Sequence, residues 1–445
     1  MLNDDVVRVL VLADTDSYVK WGAALADRFP DDWHVELLIA RGAALPSPSQ
    51  VADALAGTSH AGRAPRLIGL TDLRRRLEDE TPDVLVLAAR GWTVQAAVSV
   101  VRNAPTRPVI VTGLPGVGVP VLPYGLGFRR AADVFVVHSR RELREFRHAS
   151  RRLGLPDRFE LARLPYLQRL DLHRPRRTPA PPSAGPVVFA AQALVPSGRS
   201  ERQWLVERLA AAARARPDRE VVVKVRARAG EAQTHHEQVS YTELVETLPE
   251  RPVNLVVRTG PMHHHLDGAS GFVTVSSTAL LEAVAAGVPA VAVDDFGVGV
   301  SQINLSLRGS GLLGPADDVV EGRFRHADLA WCADNYFHPP AEDTWLERVC
   351  ELVAQRAATG LPAYCELPGS WRNGFRHVLY RHFAFTNGSD RSGVAAAAER
   401  TVALSALWLN QRRSRLLRSL WPSPRGAGAM AFAQENAESA PGASS

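Results

Sequence analysis

Residues 272–293 read FVTVSSTALLEAVAAGVPAVAV, and this stretch decides the fold. Phe272–Val275 is an uncharged run, too continuous for one face to meet water, so it suits a strand covered on both sides. Three short hydroxyl residues follow: Ser276, Ser277 and Thr278. A helix is expected from about Ala279 to Gly287, because glycine is the residue that most easily takes the left-handed turn past a helix end. Pro289 leads into Ala290–Val293, a second apolar strand. At the strand-to-helix turn the hydroxyls can cap the helix, and free backbone N–H groups point the same way. Together they form a ready phosphate site. Simple capping is the alternative reading of the same three residues.

The same alternation extends outward from this unit. In the first part of the chain Val7–Ala13, Val35–Ile39, Arg66–Leu70, Val84–Ala88, Val109–Thr112, Val134–Val137 and Phe159–Leu164 read as strands. Helical patterns such as Tyr18–Arg28, Asp72–Asp79 and Val94–Val101 lie between them. A proline-rich break at Arg174–Gly185 reads as an extended linker. Beyond it the series restarts with strands at Val187–Ala191, Glu220–Val225, Asn254–Arg258, Phe272–Val275 and Ala290–Val293. The helix Asp343–Arg356 is expected to close this second unit. The fold class is therefore α/β, with two doubly wound Rossmann-like domains facing across a cleft. The predicted boundaries are 1–173, a linker at 174–185, and 186–365. A helical extension follows at 366–421, and then a tail at 422–445 whose Pro, Gly, Ala and Ser content reads as disordered. Ligands of open parallel sheets sit at the carboxyl ends of the strands, which here face the cleft.

Composition narrows the function classes. The 445 residues are 46% hydrophobic and 22% charged, enough to build a core in each half. The net charge of +5 is mild, and no dense basic run is interleaved with aromatics, so nucleic acid is not an expected partner. Cys332, Cys350 and Cys365 are widely spaced and form no Cys-x-x-Cys pair, which argues against a disulfide framework or a structural zinc site. The N-terminus lacks a basic region followed by an apolar stretch, and no apolar run reaches the roughly 18 residues of a membrane span. A cytoplasmic protein is expected.

Several further residues carry candidate chemistry. Glu282 lies one helical turn after Thr278 and can accept ribose or sugar hydroxyls. Lys224 and Arg226 fall on one face at the end of a strand, where both can reach a diphosphate. Gln192, just after Val187–Ala191, can read a base or sugar edge. In the first domain Asp14 and Asp16 follow the first strand, and either can serve as general base toward an acceptor hydroxyl. Helix capping by Asp16 or Ser17 is the alternative there. Ser17, Lys20 and Trp21 stand beside these acids as acceptor contacts, and Gly116 lies in the glycine-rich loop Gly113–Gly118. Adjacent histidines at 235–236 and 263–265 do not match a metal-ligand spacing, so no metal is expected. Neither a strict Gly-x-Gly-x-x-Gly nor a P-loop is present, which disfavours NAD and ATP-type sites.

The segment 271–314 resembles the donor-site signature of GT-B glycosyltransferases. It is closest in style to capsule-type sugar transferases and glycerophosphotransferases, in which a strand, a Ser/Thr cluster and a Glu-Ala helix precede Gly-x-Pro. The whole chain resembles a bacterial family known only as glycosyltransferase-like. The resemblance implies that Ser276, Ser277 and Thr278 bind donor phosphate and that Glu282 binds donor hydroxyls. Capsule-type transferases carry a His-Pro pair where this chain has Lys224-Val225-Arg226. GT-B enzymes generally work without a bound metal, and here Lys224, Arg226 and the helix terminus would neutralise the leaving diphosphate.

The expected activity is transfer of a sugar from a nucleotide-activated donor to a hydroxyl acceptor, in cell-surface glycan or secondary glycoconjugate synthesis. The nucleotide-sugar is a substrate, and no cofactor is expected. An epimerase of the same fold and a non-catalytic nucleotide-binding scaffold are the competing readings. The helical pattern 395–421, with Arg412, Arg413, Arg415 and Arg418 near its end, suits either packing across the domains or contact with an anionic membrane carrying a lipid-linked acceptor.

Overall fold

A computed structural model describes residues 6–42, 45–102, 104–164, 167, 185–192, 194–225 and 239–365. The linker at 174–184, Arg226, the histidines at 235–236, the helical extension and the tail lie outside these residues.

The first sheet has seven parallel strands: β1 (Arg8–Ala13), β2 (His34–Ala40), β3 (Arg66–Ile68), β4 (Val84–Ala88), β5 (Val109–Gly113), β6 (Val134–Val137) and β7 (Phe159–Leu161). Their order is β3-β2-β1-β4-β5-β6-β7. The helices between them are α1 (Asp16–Ala26), α2 (Pro48–Leu55), α3 (Leu70–Asp79), α4 (Gly91–Val101), α5 (Pro123–Phe128) and α6 (Arg140–Arg152). Alternation along β1 sends Val9, Val11 and Ala13 to one face and Leu10 and Leu12 to the other. The first set packs against Trp21 and Leu25 of α1. The second packs against Leu73, Leu77 and Val94 of α3 and α4.

The second sheet is also parallel. Its strands are β8 (Val187–Ala190), β9 (Val221–Lys224), β10 (Leu255–Arg258), β11 (Gly271–Thr274), β12 (Ala290–Val293) and β13 (Leu313–Gly314), in the order β10-β9-β8-β11-β12-β13. Helices α7 (Arg199–Ala215), α8 (Tyr241–Glu246), α9 (Met262–Leu266), α10 (Ala279–Ala285), α11 (Ala316–Glu321) and α12 (Leu329–Asp334) cover it. Strand order reverses between β1 and β4 in one sheet and between β8 and β11 in the other. Such switch points open a crevice at the carboxyl ends of the strands.

The last described helix, α13 (Trp345–Thr359), corrects the predicted boundary at 365. Its Trp345, Val349 and Leu352 join the core formed by β1, α1 and β5 of the first domain, not the core of the second. The chain therefore returns to the domain it began with. Asp343 pins the crossing. Its carboxylate accepts from the Arg163 N–H at 2.8 Å, Arg28 at 3.0 Å and Arg163 Nε at 3.2 Å, and lies 3.0 Å from His338 Nε2. Thr344 adds to the hold, its N–H donating to the Leu161 carbonyl at 2.9 Å.

Candidate active site in the interdomain cleft

The two switch points face each other across a cavity of about 420 Å³. Thr15, Ser17, Arg90, Arg129 and the loop Leu114–Pro120 line it from the first domain; Gln192, Ser276, Ser277, Thr278 and Leu281 line it from the second. The walls come close: a Cβ added to Gly116 would stand 3.4 Å from Thr278 Cγ2.

The second-domain wall is built around Gln192. Its Oε1 accepts the Ser276 N–H at 2.8 Å, and its Nε2 donates to the Ser276 hydroxyl at 3.0 Å. Fully buried Thr274 accepts the Ser277 N–H at 3.1 Å, and Ser277 Oγ accepts the Ala279 N–H at 3.2 Å. Leu280 and Leu281 donate to the carbonyls of Ser277 and Thr278. The expectation of free N–H groups is thus corrected: those of Ser276, Ser277, Ala279, Leu280 and Leu281 have internal acceptors. Thr278 is the N-cap residue but makes no side-chain cap bond and is exposed, and the neighbouring Ser277 hydroxyl takes the Ala279 N–H instead. The three hydroxyls themselves lie on the cleft as predicted. Gln192 was expected to read a ligand; its polar atoms are engaged with the turn it shapes.

The first-domain wall departs more from expectation. Asp14 is only 3% exposed. Its carboxylate accepts from Arg90 Nε at 3.0 Å, the Arg90 N–H at 3.1 Å and the Thr93 hydroxyl at 2.7 Å. It is a buried anchor for Arg90, not a group facing the cleft. Thr15, not Asp16 or Ser17, is the N-cap of α1. Ser17 and Gly116 line the cavity, while Asp16 and Lys20 are partly exposed outside that lining. Trp21, predicted as an acceptor contact, is core: it is 2% exposed and its indole N–H donates to His138 Nε2 at 2.8 Å. Burial pushes the His138 pKa below its ordinary value, with Glu142 opposing, so the ring is held neutral.

Loop Leu114–Pro120 is fixed by Glu142, a buried carboxylate in the first turn of α6. It accepts the N–H groups of Gly118 and His138, each at 2.7 Å, and the Tyr336 hydroxyl of the second domain at 2.8 Å. Neither Glu142 nor the cleft arginines stood out in the sequence. Arg90 and Arg129 follow strands or short helices as many surface arginines do, and only their depth, 9% and 4% exposed, distinguishes them.

Glu282 and Lys224 also lie outside the cavity lining. Glu282 and Lys20 instead act on His263 through their charges: its pKa is lowered by burial and by His264 and Lys20, with Glu282 acting the other way. His265 turns to the Thr259 carbonyl at 2.9 Å. Among the described residues no group of three or more His, Cys, Asp or Glu side chains could hold a metal ion, and no helix is long and apolar enough to cross a membrane.

The architecture is shared with solved proteins. The chain is similar to the Neisseria meningitidis UDP-GlcNAc 2-epimerase bound to UDP-GlcNAc, with a TM-score of 0.50 and 10% identity over 79% of this chain and 100% of that one. It is equally similar to S. aureus MnaA in its UDP co-structure, with a TM-score of 0.50 and 10% identity over 82% and 100% of the two chains. At that identity the likeness establishes the fold, which is of the GT-B type. None of the curated proteins matches the sequence. Residues 9–352 match one family along most of the chain, and the protein belongs to it: the family described as "Putative glycosyltransferase (DUF6716)".

Proposed function

We propose that the protein transfers a sugar from a nucleotide-activated donor to a hydroxyl acceptor within this cleft. The observation that carries the reading is the placement of Ser276, Ser277 and Thr278, at the β8/β11 switch point, opposite Gly116 and Ser17 of the first domain. The hydroxyl wall takes the donor, and Gln192 holds that wall in shape. Ser17 and Gly116 belong to the acceptor side. Asp16, outside the cavity lining but next to Ser17 in the first turn of α1, is the proposed general base, reaching the acceptor hydroxyl when the domains close. Asp14 works through Arg90, orienting it toward the leaving nucleotide, so that hydroxyl donors and arginine stabilise the transition state without a metal. The UDP ligands named for two proteins of this fold make UDP-sugars the first donors to try. Lys224 and Glu282 are proposed to meet the donor only when the domains close.

The test is direct. The protein is titrated calorimetrically with UDP, GDP, CDP and CMP, then incubated with the matching sugar donors and hydroxyl acceptors, and products are read by mass spectrometry. The Ser276→Ala/Ser277→Ala variant should weaken nucleotide binding by roughly tenfold, the scale of one or two hydrogen bonds. Isomerised donor with no transferred sugar would favour an epimerase, and binding without any turnover would favour a scaffold. Failure to bind any nucleotide would overturn the reading.

A further inference from the structure

Among the described residues, Arg90 and Arg129 are the only charged side chains lining the cavity, and both come from the first domain. Their situations differ. Arg90 has its charge balanced by Asp14, with Nε 3.0 Å from the carboxylate. Arg129 is 4% exposed, and among the described residues no carboxylate pairs with it. Its Nη2 donates to the Tyr18 hydroxyl at 2.9 Å and the Ala89 carbonyl at 3.0 Å, and its Nη1 reaches the Gly125 carbonyl at 3.3 Å. Its Nε is buried without an acceptor among the described residues. Three neutral oxygens fix the guanidinium plane and leave its charge uncancelled. A buried charge without a counter-ion is costly, which makes an unpaired buried arginine in a cleft a ligand-binding group rather than a packing one.

All three partners of Arg129 belong to the first domain, on α1, after β4 and on α5. A ligand group held there lies on the acceptor side. Resting on the glycosyl-transfer reading above, we infer that the acceptor carries an oxyanion, a phosphoryl or carboxylate group, and that Arg129 binds it. Both Nη2 hydrogens are taken by Tyr18 and Ala89, so the guanidinium charge and the remaining Nη1 hydrogen would hold the group, and either oxyanion accepts such a charged hydrogen bond.

Inorganic phosphate is the probe, titrated calorimetrically into the full chain. Arg129→Met should weaken phosphate binding by roughly tenfold or more, the loss expected for a charged hydrogen bond. UDP affinity in the same variant should stay within about twofold. Arg129→Lys keeps the cation without the planar guanidinium and is the second variant should the methionine form not fold. Its phosphate affinity should fall between the other two. The Ser276→Ala/Ser277→Ala variant should keep its phosphate affinity, and saturating UDP should not displace phosphate from the wild type. Phosphate affinity unchanged by both Arg129 substitutions overturns the inference. So does displacement of phosphate by UDP, which would assign Arg129 to the donor. If no nucleotide binds while Arg129-dependent phosphate binding persists, the donor reading fails and the oxyanion site stands.

Discussion

Gln192 holds Ser276 at both its backbone and its side chain, accepting the N–H at 2.8 Å and donating to the hydroxyl at 3.0 Å. Gln192→Leu removes both bonds and leaves a partly buried N–H without an acceptor. A stability loss of about 1–3 kcal/mol is expected, with weaker nucleotide binding because the hydroxyl wall loses its shape. Gln192→Glu keeps the acceptor oxygen, so urea melts should show a smaller loss. Equal losses in both variants would mean that the Ser276 N–H is not the bond that matters.

Gly116 sits where the walls approach. Alanine there makes an ordinary contact with Thr278, at 3.4 Å from its Cγ2, whereas leucine would fill the gap between the domains. Gly116→Leu should abolish transfer while leaving the thermal midpoint near wild type. Activity retained in that variant would place the reacting groups elsewhere.

Trp21 belongs to the core, and the glycine beside it shows why. A Cβ on Gly113 would come within 2.6 Å of Trp21 Cζ2 and 2.8 Å of the Val136 carbonyl oxygen. Gly113→Ala should cost about 1–3 kcal/mol through overpacking, measured by chemical denaturation. A neutral result would mean that the indole shifts freely.

Stability should fall on mild acidification. His138 is buried, and its folded pKa lies below the ordinary 6.5. Below pH 6.5 the unfolded chain therefore binds protons that the folded chain refuses. This contribution is intact above about pH 6.5 and is lost as pH falls toward the folded value. His138→Gln should flatten the pH dependence in that window, at the cost of the Trp21 contact. Asp343 acts in a lower window. Burial pushes its pKa up, but His338 and Arg28 outweigh this and hold it below the usual 3.8. Its contribution is present above that pH and lost as acid carries the pH through the folded value. Asp343→Ala should cost about 3 kcal/mol at neutral pH, because it strands the partly buried Arg28 and Arg163.

The sheets were legible because burial on both faces leaves uncharged runs such as Val84–Ala88, which no amphipathic helix imitates. The Ser276–Thr278 turn was legible for the same reason, since its strand and its helix are both continuous. Partners were not legible. Asp14 and Asp16 differ by two positions, yet one is sealed against Arg90, 76 residues away, and the other is partly in water. Local spacing carries no information about a partner at that separation. The same holds for Trp21 and His138, and for Glu142 and Tyr336. Helix α13 has the period of any amphipathic helix, so its pattern shows that one face is buried but not beneath which sheet.

The return of that helix has a consequence for how the molecule is made. Domains of a growing chain generally fold in the order of synthesis. Here Trp345, Val349 and Leu352 complete a core begun by Val9 and Val11, so the ribosome must finish the second domain before the first can seal. Of the two domains the one made first is the last to mature, and in the interval the nascent chain shows water the bare β5–β7 flank that α13 will cover.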